Sequence, residues 1–313
     1  MKYVQTHGLN LSAFMLGTVQ LGMEYGLGED KAKPSQEKAF QILDRAMELG
    51  VNTLDTADNY GDSEAVIGRW MEHRRQAGLE TPWVVTKVST LDHSSYDALR
   101  DCVFRKTEGC MKNLGVDKID CMMIHAFEDY ANDRDNMHKI FDDMKSQGMY
   151  EYSAISAYSR HDYGVLAESG FDAVQIPLNV FDWSQIENGG MEKLKNAGMM
   201  VYTRSVFLQG LVFQKPEKLD PRMDFCVQPL TRYLELCKEF QLSPAVLALS
   251  FALSVPGVTN TVLGCDNVQQ LEANCELFNQ TVKLTQEQWN LLRDAFVNID
   301  PRVINPGVWY NHT

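Results

Sequence analysis

The chain has 313 residues, of which 44% are hydrophobic, and its 29 Lys and Arg against 42 Asp and Glu give a formal net charge of -13. This length allows a sizeable core, either in one α/β barrel or in two ordinary domains. The acidic balance argues against a nucleic-acid-binding protein and against adhesion to anionic membranes, since both need a basic face. We therefore expect a small-molecule partner.

The sequence has no pattern typical of export, membrane insertion or disulfide bonding. The N-terminal segment MKYVQTHGLN lacks the apolar stretch of a secretory signal, and no run approaches the roughly 18 apolar residues of a membrane helix. The seven cysteines are scattered without a C-x-x-C pair, which indicates buried thiols rather than disulfides or a thiolate metal site. A cytoplasmic protein is predicted.

Strand and helix patterns alternate along the chain. The first segment, MKYVQTHGLNLSA, has Gly8 between two short extended pieces and predicts a hairpin. Segments with helical start and stop signals follow, such as PSQEKAFQILDRAMELG, which begins at Pro34 and ends at Gly50. Between such segments lie apolar, β-branched runs that predict strands: FMLGTVQLG, VNTLDTA, WVVTKV, IDCMMIHAF, YSAISAYS, FDAVQIPLNV, MMVYTRSVF and TNTVLG.

Eight such strand and helix units predict a (β/α)8 barrel that uses residues 1–313 as a single domain. A doubly wound open sheet is the alternative, but no G-x-G-x-x-G follows the first strand. The polar stretch FQKPEKLDPRMDF predicts a long loop that covers a site. After the eighth unit, TQEQWNLLRDAFVNID predicts one more helix, and an irregular tail ends the chain.

Titratable residues lie where several predicted strands end. Asp55 ends the second strand, Tyr60 lies on the loop after it, Lys87 ends the third strand and His125 ends the fourth. In a (β/α)8 barrel these strand ends share one face, where active sites lie. Each residue alone has an ordinary structural interpretation. Together they fit a proton-transfer unit, because a nearby ammonium lowers the pKa of a phenol, usually near 10.

The combination of LDTADNYG, TKV and IH resembles the signature of the aldo-keto reductases, barrels that use Tyr, Lys, His and Asp with a nicotinamide cofactor. The resemblance extends from the hairpin to LEAN, near the end of the chain. It implies NAD(P)(H)-dependent interconversion of a carbonyl compound (aldehyde, ketone or sugar) and an alcohol. In this reaction Tyr60 would protonate the carbonyl oxygen as hydride arrives, Lys87 and Asp55 would tune Tyr60, and His125 would position the substrate.

The resemblance also implies the cofactor contacts. Gly17 and Thr18 would lie at the nicotinamide ribose, Ser156 and Gln175 at the carboxamide, and Arg204 at the nicotinamide ring. Ser205, Leu208 and Gly210 would line the pyrophosphate. Gly264, Asp266, Gln270 and Asn274 would lie at the adenosine. Ala157 follows Ser156, where the family usually has Asn.

The adenosine segment departs from the pattern of members that bind a 2'-phosphate. Those members usually place Lys or Arg where this chain has Asp266 and Gln270. A carboxylate repels a phosphate and accepts a hydrogen bond from a free ribose hydroxyl, so we expect NAD(H) to be favoured over NADP(H). An ordinary capped helix is the alternative interpretation of this segment.

Substrate pockets are built by loops, which one sequence describes least. The candidates are Met23, Tyr25, Trp183, Trp309 and Tyr310, whose mainly aromatic side chains suit a sugar or an aryl aldehyde. The stretches LGTVQLGMEYG and RSVFLQGL resemble bacterial members linked to carbohydrate metabolism, so a sugar or polyol is the expected substrate.

Two other classes of function are weighed against this hypothesis. One is a cofactor-binding regulatory or sensor barrel with little turnover, which would use the same fold and the same four residues. The other is a metal-dependent hydrolase or isomerase. We disfavour it because His125 has no His partner at ligand spacing, and no metal site is expected.

Overall fold

The computed structural model describes residues 1–24 and 32–310. Its strands, in chain order, are β1 (Tyr3–Thr6), β2 (Leu9–Ser12), β3 (Phe14–Gly17), β4 (Thr53–Asp55), β5 (Trp83–Val88), β6 (Ile119–Ile124), β7 (Tyr150–Ser156), β8 (Ala173–Pro177), β9 (Met200–Arg204) and β10 (Val258–Gly264). Strands β3 to β10 pair in parallel and close into a barrel, because β10 pairs with both β3 and β9. The predicted (β/α)8 barrel is confirmed.

Helices connect the strands and cover the outside of the barrel. In chain order they are α1 (Val19–Gly22), α2 (Gln36–Glu48), α3 (Ser63–Gln76), α4 (Tyr96–Leu114), α5 (Phe127–Ala131), α6 (Arg134–Ser146), α7 (Tyr163–Ala167), α8 (Ser184–Glu187), α9 (Gly190–Asn196), α10 (Val227–Phe240), α11 (Pro244–Ser254), α12 (Val268–Gln280) and α13 (Gln286–Phe296). Short 3-10 turns lie at Leu208–Phe213, Pro216–Lys218, Pro221–Cys226 and Pro306–Val308. The predicted long loop thus contains turns that lead into α10.

The helix boundaries follow local capping chemistry. The Ser35 hydroxyl caps α2 by accepting a hydrogen bond from the Lys38 backbone N–H. The predicted extra helix, α13, begins with a capping box in which Thr285 and Gln288 satisfy each other's backbone groups. Helix α4 ends at Gly115, whose φ of 63° lies in the left-handed region that a glycine adopts without strain.

The hairpin β1–β2 covers the N-terminal end of the barrel. Its turn residues His7 and Gly8 both have positive φ, 50° and 77°, as a two-residue hairpin turn requires. Leu11 of β2 is buried, and it packs with side chains that fill the barrel interior. We call this set the lower cluster: Leu11, Met15, Val85, Cys121, Met123, Ala154, Ala173, Met200 and Tyr202. The hairpin therefore closes one end of the barrel, and any site opens at the other.

The outer core lies between the strands and the surrounding helices. Its largest buried side chains include Trp70, Phe14 and Phe251. All seven cysteines are buried and unpaired. Among the described residues, no single helix has the length and apolarity to cross a membrane, although the bent pair Pro221–Phe240 and Pro244–Ser254 meets that test by length and composition. The cytoplasmic location remains a prediction.

Candidate active site

A buried ion pair lies at the C-terminal end of the barrel. Asp55 is the last residue of β4, and Lys87 lies near the end of β5. The Lys87 Nζ is 2.8 Å from the Asp55 Oδ1 and also donates to the Thr56 carbonyl at 2.8 Å. Burial of Lys87 acts to lower its pKa, but the charges of Asp55 and Tyr60 outweigh burial, and the pKa is raised. Lys87 is therefore a fixed cation.

Tyr60 lies against this cation. The Lys87 Nζ donates to the Tyr60 hydroxyl at 3.4 Å and lies 4.8 Å from the centroid of its ring. The loop that carries Tyr60 packs tightly on α1, since a Cβ at Gly22 would come within 1.8 Å of the Tyr60 carbonyl oxygen. Gly22 therefore has to be glycine for the Tyr60 loop to take this position.

His125 follows β6 on the same face. Its ring centroid is 6.0 Å from that of Tyr60, with an interplanar angle of 79°. The buried Nδ1 has no hydrogen-bond partner within residues 1–24 and 32–310. Burial first, and then the Lys87 charge, lower the pKa of His125 to about 4. A neutral imidazole thus faces the site at neutral pH, able to bond a substrate oxygen.

Gln175 of β8 joins this group directly. Its Nε2 donates to the Asp55 Oδ1 at 2.6 Å, and the residue is 2% exposed. The sequence interpretation places Gln175 only against the cofactor. In the structure its amide nitrogen is committed to Asp55, which leaves the amide oxygen for a ligand.

A cavity of about 690 Å³ opens above these residues, within the usual size range of ligand pockets. Most of the predicted catalytic and cofactor residues line it: Gly17, Thr18, Asp55, Tyr60, His125, Ser156, Gln175, Arg204, Ser205, Leu208, Gly210 and Gly264. Lys87 lies behind this wall, fully buried. The structure therefore brings Asp55, Tyr60, Lys87 and His125 together and places most of the predicted cofactor contacts around one cavity.

One rim of the cavity has a strained backbone. Ser205, Leu208 and Gln209 have φ values of 60°, 46° and 49°, in the left-handed region that residues other than glycine rarely adopt. Hydrogen bonds from the Leu208 N–H to the Ser205 carbonyl and from the Gly210 N–H to the Phe207 carbonyl hold this turn. Strained backbone of this kind clusters at ligand sites. The sequence interpretation did not include Phe207 and Gln209, which also line the cavity.

Arg204 lies on a tyrosine that the sequence interpretation missed. The Arg204 guanidinium carbon is 4.6 Å from the ring centroid of Tyr158, and the Arg204 Nη2 donates a hydrogen bond to the Ala157 carbonyl at 3.3 Å. Arg160 also lies 4.6 Å from the same centroid. Tyr158 lines the cavity and is 46% exposed. Tyr158 lies two residues after Ser156, the last residue of β7, and this position just after a strand end could have identified it from the sequence.

Two predicted substrate contacts need correction. Trp183 is 2% exposed, donates from its indole to the Val180 carbonyl and packs against Phe251 and Trp289. Trp309 is also 2% exposed and donates to the Arg302 carbonyl. Both indoles are anchored in the core, and neither lines the cavity.

Two other predicted substrate residues, Met23 and Tyr310, do not line the cavity either. Met23 is 40% exposed and lies beside Gly61, next to Tyr60. Tyr310 is 47% exposed and lies under the Arg222 guanidinium. Tyr25 falls outside the described residues.

Of the predicted adenosine residues, Gly264 lines the cavity, whereas Asp266, Gln270 and Asn274 do not. The Gln270 side-chain oxygen accepts the Asp266 backbone N–H at 2.9 Å, while the Asn267 side chain caps α12. Asn274 donates to the Gly264 carbonyl at 3.3 Å. The capped-helix interpretation therefore describes the local contacts of this segment, and Asp266 is exposed.

Gln20 is a further cavity residue that the sequence interpretation missed. Its amide lies against Gly264, since a Cβ there would be 2.4 Å from the Gln20 Nε2. Its Oε1 is buried, and no donor among the described residues reaches it. Like the His125 Nδ1, it is a buried polar atom without a partner among the described residues, on a side chain whose residue lines the cavity.

A closed (β/α)8 barrel with an ion-paired Lys, a Tyr and a neutral His around a cavity at its open end has the architecture of a barrel enzyme. Residues 13–296 match the model of the Aldo/keto reductase family, and the chain belongs to this family. Membership implies oxidoreductase activity; enzymes of this family act on small carbonyl compounds and use NAD(P)H.

Two relatives with similar sequences are bacterial oxidoreductases. The uncharacterized oxidoreductase YqkF of Bacillus subtilis (strain 168) is 26% identical over 300 residues, which cover 89% of this chain and 94% of that protein. YrpG, an uncharacterized oxidoreductase of the same strain, is 24% identical over 94% of this chain and 95% of its own. Among solved structures, aldo-keto reductase AKR11C1 from Bacillus halodurans (holo form) has a TM-score of 0.75 and 21% identity, covering 97% of this chain and 100% of that chain.

Proposed function

We propose that this protein interconverts a carbonyl group and an alcohol by hydride transfer with NAD(P)(H), using Tyr60 as the general acid and base. The observation that carries the proposal is the position of the Lys87 Nζ, 2.8 Å from the Asp55 carboxylate and 3.4 Å from the Tyr60 hydroxyl. A cation held in this way stabilises a phenolate, which makes Tyr60 a better proton donor than an isolated tyrosine.

In the reduction direction, Tyr60 gives its hydroxyl proton to the carbonyl oxygen. Lys87 holds the negative charge that remains on Tyr60, and Asp55 keeps Lys87 in place. Asp55 is itself held by Gln175, so the acid rests on a chain of buried hydrogen bonds. In the oxidation direction, the same atoms take the proton from the alcohol.

His125 orients the reacting oxygen. Its ring is neutral at pH 7, because burial and the Lys87 charge depress its pKa to about 4. It therefore offers a hydrogen bond to the substrate oxygen without competing with Tyr60 as a proton donor.

The residues of the cavity fit a nicotinamide dinucleotide. Such a cofactor supplies or accepts the hydride when it is bound. The buried Gln20 Oε1 lacks a partner among the described residues, and the strained backbone at Ser205, Leu208 and Gln209 lines the same wall. Gly17, Thr18, Ser156 and Gly210 would hold the rest of the cofactor, since they share that wall.

NAD(H) is the cofactor we favour. Asp266 and Gln270 follow Gly264, which lines the cavity, and no Lys or Arg occurs between Gly264 and Asn274. A carboxylate at this position opposes a 2'-phosphate and accepts a bond from a free ribose hydroxyl. We expect Asp266→Lys to shift the ratio of NADPH to NADH affinity about tenfold toward NADPH, as a new charge-assisted contact does. An unchanged ratio would show that Asp266 does not face the ribose.

The substrate is proposed to be a small carbonyl compound or polyol, with a sugar as the first class to test. Trp183 and Trp309 no longer support an aromatic sugar platform, so Tyr158 and Phe207 are the aromatic side chains left beside the catalytic ones. The sugar proposal now depends on the resemblance of LGTVQLGMEYG and RSVFLQGL to carbohydrate-related members.

The test begins with paired titrations of the protein with NADH and NADPH, following the fluorescence of its five tryptophans. Saturable binding followed by turnover of aldehydes or sugars at 340 nm supports the proposal. Binding without turnover, with Tyr60→Phe indistinguishable from the parent, would favour the sensor alternative. Binding of neither cofactor would overturn the proposal.

A further inference from the structure

A second carboxylate, Asp58, lies between Asp55 and Tyr60 in sequence and bonds to the strand that carries Lys87. Its backbone N–H donates to the Lys87 carbonyl at 3.0 Å. Its carboxylate accepts the Ser89 hydroxyl at 2.6 Å and the Ser89 N–H at 3.3 Å. One residue of the Tyr60 loop is thus tied on both sides to the end of β5.

Lys106 completes this group from the outside of the barrel. It lies on α4, and its Nζ is 2.8 Å from the Asp58 Oδ2. The Asp58 side chain is 12% exposed and that of Lys106 is 27% exposed, so the pair is partly buried and less screened than a surface ion pair. We call Asp58, Ser89 and Lys106 the Asp58 clamp. It joins the Tyr60 loop, the end of β5 and α4.

The clamp also holds an unfavourable turn. Thr90, directly after Ser89, has a φ of 53°, which is strained for a β-branched residue. Ser89, the residue before this turn, is held by its two hydrogen bonds to the Asp58 carboxylate, which fix the start of the turn. Strain of this kind persists only where the surrounding contacts over-determine the backbone.

The charges around Tyr60 show why Lys106 matters. The described ionisable groups on the elements around Tyr60 include Asp55, Asp58, Asp62, Glu64, Lys87, Lys106, His125 and Arg204, and Asp62 is paired with Lys33. Asp55 is paired with Lys87. An unpaired Asp58 would disfavour a phenolate on Tyr60 and so oppose the effect of Lys87. With Lys106 beside it, Asp58 ties the loop without adding net charge.

We propose that Asp58 and Lys106 are positioning residues that hold Tyr60 against Lys87 and balance the charge around it. The inference depends on the proposed function, because it concerns the proton that Tyr60 transfers. The geometry that carries it is the set of bonds joining Asp58 to Lys87, Ser89 and Lys106. Neither residue needs to touch the substrate.

The test uses two variants that remove opposite charges. Asp58→Asn keeps an oxygen for Ser89 but leaves Lys106 unpaired, whereas Lys106→Met leaves Asp58 unpaired. The rate of carbonyl reduction falls at high pH as Tyr60 loses its proton. Asp58→Asn should move this fall to lower pH, and Lys106→Met should move it to higher pH, each by about half a pH unit. The measurement is the single-turnover rate of NADH oxidation against pH.

A matched pair at the other end of the barrel provides the control. Lys118 and Glu151 form an ion pair beside the starts of β6 and β7, away from the cavity. Lys118→Met and Glu151→Gln should leave the pH profile unchanged. Asp58→Ala, which removes the tie itself, should lower the single-turnover rate about tenfold with little change in the Kd of NADH.

The outcomes separate the two proposals. Shifts of opposite sign, absent in the Lys118 and Glu151 variants, support the Asp58 clamp. Shifts of the same sign, or none in variants that melt as the parent does, would overturn it. If the parent turns over no carbonyl compound, the proposed function fails instead.

Discussion

The two ends of the barrel interior are built from the same strands and have opposite chemistry. Going up a strand by two residues, about 6.6 Å, keeps a side chain on the inner face. On six strands, the residue two positions after a member of the lower cluster lines the cavity or belongs to the ion pair. The pairs are Met15 and Gly17, Val85 and Lys87, Met123 and His125, Ala154 and Ser156, Ala173 and Gln175, and Tyr202 and Arg204. The lower cluster is apolar core, and the next layer carries the residues of the proposed chemistry.

Two ionisable groups show how the layers differ. Tyr202, in the lower cluster, has no exposed surface, and burial raises the pKa of its phenol well above the usual range. Lys87, equally buried one layer higher, has a raised pKa because Asp55 and Tyr60 offset the effect of burial. Burial alone therefore keeps the Tyr202 phenol neutral, whereas burial beside a partner of opposite charge keeps the Lys87 ammonium charged.

The largest expected difference between the layers is in activity. Tyr60→Phe removes the proposed proton donor, and we expect kcat to fall about 100- to 10,000-fold with the melting temperature almost unchanged. Tyr202→Phe removes a hydroxyl from the lower cluster and should leave kcat as it is. Steady-state kinetics and thermal melts of the two variants check this. Equal kcat values for the two would remove Tyr60 from the mechanism.

Because of the ion pair between Lys87 and Asp55, substitutions in the layer above the lower cluster should also lower the free energy of unfolding. Lys87→Met leaves the Asp55 carboxylate buried and uncompensated, so we expect a loss of about 3–5 kcal/mol in the free energy of unfolding. The double variant Lys87→Met with Asp55→Asn has no unpaired charge, so it should regain part of the lost free energy of unfolding. Met123→Leu, which conserves volume in the lower cluster, should cost less than about 1.5 kcal/mol. Urea unfolding measures all three, and a Lys87→Met loss no larger than that of Met123→Leu contradicts the comparison.

Truncation in the lower layer should affect stability and spare activity. Leu11→Ala opens a void under the hairpin, and we expect a loss of about 2–3 kcal/mol, because the hairpin covers the cluster from one side only. The kcat of the folded variant should match that of the parent, since the cavity lies at the opposite end. A fall in kcat below the melting transition would mean that the two layers are coupled.

The smallest predicted effect is a pH dependence of stability from His125. Its pKa is about 4 in the folded state and near 6.5 when unfolded, so the unfolded chain binds the proton first. The contribution is present above pH 6.5 and is lost as the pH falls toward 4. Between pH 7 and pH 5 we expect a loss of about 2 kcal/mol. His125→Asn should lack this part of the acid sensitivity, and an identical loss in parent and variant would contradict it.

Much of the barrel and of the reacting group was predictable from local patterns. Alternating strand and helix signals identified the barrel, and the rule that strand ends share a face placed Asp55, Lys87 and His125 together. The aromatic residues were not predictable in this way. Trp183 and Trp309 lie in loop or tail segments, where an indole fits a pocket and a core equally well. Only the helices that pack around them determine which one they occupy.

Gln175 and Asp58 illustrate the same limit for polar side chains. Gln175 is 120 residues from Asp55 in the chain, and Asp58 is 48 residues from Lys106. The first bond joins two strands and depends on the barrel closing, and the second depends on where α4 packs. The amino-acid sequence by itself determined the elements, their order and the residues at each strand end, because these follow from short-range periodicity. Tertiary structure alone decided which polar atoms meet, since a hydrogen bond or ion pair depends on a few tenths of an ångström between distant segments.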